Sequence, residues 1–61
     1  MKKYLIVYCE VRHGEALATF HTIEESVSGY EALKKFKEDN EHFNYKVIAM
    51  RELKSKEKIY L

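Results

Sequence analysis

The stretch Lys3–Ile23, KYLIVYCEVRHGEALATFHTI, decides the fold. Its first part, Lys3 to Arg12, is rich in β-branched and aromatic residues and reads as a strand. His13-Gly14-Glu15-Ala16 then supplies a turn, and Leu17 to Ile23 reads as the returning strand. Glycine tolerates positive φ, so Gly14 as first central residue of a two-residue Gly14-Glu15 loop predicts a type II′ hairpin. In that hairpin the numbers of paired residues add to 29, which assigns every side chain to a face. One face collects Leu5, Val7, Cys9 and Val11 with Ala18, Phe20 and Thr22, and is the expected core. The other collects Tyr4, Ile6, Tyr8, Glu10 and Arg12 with Leu17, Thr19, His21 and Ile23. A slip of one residue would move Phe20 onto this mixed face, which favours the first register.

Working outward, Ser28-Gly29-Tyr30-Glu31 is a capping box, with the Ser28 hydroxyl placed to accept from the Glu31 amide. Val27 and Ala32 occupy the two positions of a hydrophobic staple. At 100° per residue Ala32, Leu33 and Phe36 form an apolar stripe, with Tyr30 on its margin and Gly29 and Asn40 in line. The helix is expected to end at Asn40, with Phe43 covering the end of the core. Tyr45 to Leu53 reads as a third strand, its Ile48 and Met50 turned toward the helix. Lys54 to Glu57 can turn into a short fourth strand, Lys58 to Leu61. A right-handed crossover through the helix places strand 3 beside strand 1 and antiparallel to it, giving the order 2-1-3. The expectation is one α+β domain over residues 1–61: β-β-α-β, a small antiparallel sheet with one helix on one face.

Composition narrows the function. Sixty-one residues bury only about 60% of the surface they expose unfolded, and one cysteine leaves no internal disulfide. Stability must come from packing or association. Hydrophobic residues at 46% and charged ones at 34% are globular values. Eleven basic against ten acidic groups provide no global pull toward nucleic acid or membrane, although residues 1–33 sum to −2 and residues 34–61 to +3. The apolar run Tyr4–Cys9 is too short for a signal peptide, nothing approaches a membrane span, and the lone thiol points to a reducing cytoplasm.

The helix shields one side of the sheet, so the mixed face is the candidate contact surface. Its expected partner-binding residues are Tyr4, Ile6, Tyr8, Leu17, His21 and Ile23, with Arg12 and Arg51 at the rim. Tyrosine, aliphatic residues and arginine are the types enriched in protein interfaces. The partner is a protein or a second copy of the chain, as a homodimer. The plainer reading is a solvated sheet whose tyrosines keep their hydroxyls wet. Cys9, His13, His21 and His42 have no metal-ligand spacing, and the expected register sends Cys9 and His21 to opposite faces. Without a phosphate loop or nucleophile elbow, no catalytic residue, metal or cofactor is assigned, and the chain is read as a non-enzyme. The alternative is a small nucleic-acid-binding protein. It would stack bases on Tyr4 and Tyr8 and use Lys34, Lys35, Lys37, Lys54, Lys56 and Lys58, but acidic residues are interleaved with these lysines.

The start MKKYLIVYCEV, the hairpin glycine, the capped helix SGYEALKKFKEDN and the closing strand YKVIAMREL together resemble small accessory proteins of bacteriophages and mobile elements. The pattern is similar to short β-β-α-β products of phages of low-GC Gram-positive bacteria. That resemblance implies a protein working by contact, binding and inhibiting or modulating a host protein such as a defence nuclease, as anti-CRISPR inhibitors do. The near-neutral charge departs from the acidic, DNA-mimicking inhibitors.

Overall fold

The first turn sets the geometry. His13 and Gly14 both hold positive φ, 50° and 79°, the pattern of a two-residue type I′ loop, whose twist matches the strands it joins. The loop is therefore His13-Gly14, one residue earlier than expected. It joins β1 (Lys2–Arg12) to β2 (Glu15–Ser26); α1 (Gly29–Asp39) and β3 (Tyr45–Leu53) follow. This computed structural model describes residues 1–54. The sheet order is β2-β1-β3, with β1 antiparallel to both neighbours. This is the expected small α+β architecture; the expected fourth strand, Lys58–Leu61, lies outside the described residues.

The faces differ from expectation, and a bulge is the reason. Next to the turn, Arg12 pairs with Glu15 and Val11 with Ala16. The ladder then shifts, and Cys9 pairs with Thr19, so Leu17 and Ala18 together oppose Glu10. One extra residue on β2 moves the rest of that strand to the opposite side relative to β1. From Lys2 to Cys9 partner numbers add to 28, with Tyr8 opposite Phe20 and Ile6 opposite Thr22. The slip that the pattern argued against is thus the one adopted. Phe20 gains a stacked partner from it, Tyr8, at 5.6 Å between ring centroids.

The even-numbered face of β1 is the one beneath the helix. Ile6 is fully buried, as are Ala32 and Phe36 of α1, and Tyr4 is 6% exposed. Tyr8 lies 4.9 Å from Phe36, which meets Tyr45 at 5.0 Å. Phe43 closes this cluster, 6.4 Å from Tyr8 and 6.3 Å from Tyr45. Aromatic rings and Ile6 therefore form the core beneath the helix, in place of the expected Leu5, Val7 and Val11, while Cys9 is buried as expected, 3% exposed. Each fully buried large side chain stabilises by about 1.5–3 kcal/mol.

The helix starts where its cap dictates. Ser28 is extended, and its Oγ accepts the Glu31 N–H at 3.2 Å, while its carbonyl accepts the Ala32 N–H at 3.0 Å. Val27 remains 67% exposed, so the expected staple onto Ala32 does not close. At the other end Asn40 Nδ2 donates to the Phe36 carbonyl at 2.8 Å. A Cβ on Gly29 would stand 3.2 Å from Met50 Cε and 3.5 Å from Tyr4 Cε1. Glycine here lets the first helical turn sit close to β1 and β3. Met50 faces the helix as expected, opposite Ile6. Ile48 does not join it: a second ladder shift between Val7 and Tyr8 skips Ile48, which is 56% exposed, and Val47 stands opposite Tyr8.

Candidate functional site: the open sheet face

Directly opposed residues in antiparallel strands share a face, so the two ladders define the side away from α1 row by row. Lys3 stands between Glu25 and Leu53, Leu5 between Ile23 and Arg51, Val7 between His21 and Ala49, and Cys9 between Thr19 and Lys46. The centre is apolar. Leu5 and Val7 are half-buried, Cys9 is buried, and Ile23 is 47% exposed. A shallow groove runs along β1 and β3, lined by the side chains of Leu5, Val7, Ala49 and Arg51. No helix among the described residues covers this side.

The rim is mostly basic. Among the described residues Lys3, Lys46 and Arg51 belong to it, with the carboxylate of Glu25. Lys3 Nζ lies 3.7 Å from a Glu25 oxygen, an exposed pair that solvent screens. The acidic side chains Glu10, Glu24 and Glu52 fall on the helix side, opposite or beside even-numbered β1 residues. There Glu24 pairs with Lys35 of α1 at 3.7 Å. The sheet is therefore polarised, with cations around the open face and carboxylates around the covered one.

Five of the eight residues expected at the contact face and its rim are elsewhere. Tyr4, Ile6 and Tyr8 lie under α1, because the bulky even-numbered side chains of β1 match Phe36 and Tyr45. Arg12 also leaves the rim; its Nε meets Glu10 Oε2 at 2.7 Å on the helix side. Leu17 sits at the bulge across from Glu10, 46% exposed and outside the regular rows. His21, Ile23 and Arg51 do belong to the open face. Leu5, Val7, Ala49, Lys3 and Lys46 were missed, the first two because the expected register assigned them to the core. The signal that could have found them is aromatic matching: Tyr8 and Phe20 pair only in the shifted register.

The same shift alters two other expectations. Cys9 and His21 share the open face as diagonal neighbours, contrary to the expected separation, yet the Cys9 thiol is buried. Among the described residues no three His, Cys, Asp or Glu side chains gather to hold a metal. Tyr4 and Tyr8, the tyrosines expected to stack bases, lie on the helix side of the sheet and not on the open face. No helix among the described residues is long and apolar enough to cross a membrane. The class defined by these features is a small α+β domain with a one-sided helix and a basic-rimmed apolar sheet face. Comparison with family models, curated proteins and solved structures finds no match.

Proposed function

We propose that this chain is a non-enzymatic protein-binding module whose open sheet face contacts a partner protein. The observation that carries this reading is the apolar centre of Leu5, Val7, Ile23 and Ala49, over which no helix among the described residues lies, within a rim of Lys3, Lys46 and Arg51. Apolar centres with polar rims are the usual anatomy of protein interfaces. A net-basic rim selects a partner surface whose own rim is acidic. The resemblance to phage and mobile-element accessory proteins supplies the setting: a cytoplasmic contact inhibitor or modulator of a host protein, a defence nuclease being one candidate.

Affinity capture from the native host with the full chain and with its Ala49→Glu variant tests the reading. Ala49 is exposed on β3, opposite Val7, so the variant is expected to fold. A host protein held by the native chain and lost by the variant is the expected result. A partner retained equally by both would place the contact on another surface.

A further inference from the structure

We infer that β2 is a dimerisation edge, pairing antiparallel with β2 of a second copy about a two-fold axis at Phe20. Among the described residues β2 has a neighbour, β1, on one side only. An edge strand presents a row of N–H and C=O groups, and stable monomers usually guard such edges with lysine, proline or inward charge. β2 is twelve residues long, and its run Ala16–Ile23, ALATFHTI, contains no lysine, proline or carboxylate. The β3 edge carries Lys46, Arg51 and Glu52 within nine residues. The bulge at Leu17-Ala18 interrupts the start of the β2 edge, and the regular stretch beyond it, Thr19–Ile23, is unguarded.

Side-chain exposure identifies what kind of object covers it. Phe20 is 40% exposed on the helix side, while Ile23 is 47% exposed on the open side. A layer stacked on either face would cover one of them and leave the other in water. A strand added alongside covers both, because its side chains alternate across the sheet as those of β2 do.

A second copy fits this edge by symmetry. Leu17, Phe20 and Ile23 are the exposed large apolar residues of β2, spaced evenly about Phe20. A two-fold axis there sets Phe20 beside its own copy and pairs the regular run Ala18–Thr22 beyond the bulge with itself, face for face. The aromatic stack of Phe20 on Tyr8 then continues across the axis. Shifting the axis to Thr19 or His21 sets Phe20 against Ala18 or Thr22 and breaks the aromatic contact. In the Phe20 register Glu15 comes abreast of Glu25, so like charges end the ladder beyond Ala16 and Glu24. The product is one sheet of six strands, order β3-β1-β2-β2-β1-β3. Its two helices lie on one side and its two open faces form a continuous surface on the other. This assembly is independent of the open-face reading, since it leaves that face free.

Sedimentation equilibrium of the full chain from about 1 µM to 1 mM tests the inference. A concentration-dependent monomer–dimer equilibrium is expected, and a monomer throughout overturns it. Ile23→Lys should raise the dimer dissociation constant at least tenfold; an unchanged constant places any dimer on another surface. Ala49→Glu on the open face should leave the constant unaltered, which separates this test from that of the partner reading. Amide exchange of the unmodified chain needs no variant: β2 protection should rise with concentration more than β3 protection, and the reverse overturns the inference. Oxidation of a Phe20→Cys chain should trap a covalent dimer that Thr19→Cys and His21→Cys do not. Efficient trapping at either neighbour would refute the Phe20 axis.

Discussion

His13 holds a φ of 50° beside Gly14 at 79°, and the two positions bear different loads. A non-glycine residue in the left-handed region costs about 1–2 kcal/mol, less for asparagine, whose side chain bonds locally. His13→Asn is therefore expected to stabilise the chain by about 0.5–1 kcal/mol in urea denaturation, since Asn-Gly is the preferred type I′ pair. Gly14→Ala should destabilise it by about 1 kcal/mol. A Cβ at Gly14 meets nothing within 4 Å, so that loss comes from the backbone alone. Ser28 offers a third single-residue test. Removing its hydroxyl orphans the Glu31 amide, and Ser28→Ala should cost about 1 kcal/mol and lower helix content by circular dichroism.

At the scale of the element, the β2 bulge is the decisive feature. Were the ladder regular along the native sequence, the turn pairing of Arg12 with Glu15 would propagate, setting Tyr8 opposite Thr19 and sending Phe20 to the open face. Deleting Ala18 removes the extra residue and joins the two ladders, which leaves Tyr8 opposite Phe20. Nuclear Overhauser contacts between the Tyr8 and Phe20 rings should therefore persist in that variant. Their loss would contradict the register described above. The helix is held by Phe36, 1% exposed between Tyr8 and Tyr45. Phe36→Ala removes about 3–5 kcal/mol of packing, enough to abolish cooperative melting in a domain of this size.

For the whole molecule, the two faces of the sheet make opposite predictions. A charge at Ile6, fully buried beneath α1, has no partner and no water, so Ile6→Lys should unfold the chain. Ala49→Lys on the open face should change stability by less than about 0.5 kcal/mol. Thermal melts by circular dichroism distinguish them, and equal effects would contradict the facing described above. The elements were legible in the chain: alternating β-branched and aromatic runs mark the strands, the Ser28–Glu31 box starts the helix, and crossover handedness orders the sheet. The contact face was legible at three of its eight expected residues, His21, Ile23 and Arg51. Tyr4, Ile6 and Tyr8 were misplaced because both faces of β1 are apolar, and alternation cannot choose between two apolar faces. By itself, the sequence determined which segments become strands and helix, since that depends on local propensity and capping. Only the tertiary structure decided which side of the sheet is core. That choice depends on one extra residue at Leu17-Ala18 and on the fit of Tyr8 and Phe20 against Phe36, a packing match between segments that no local pattern contains.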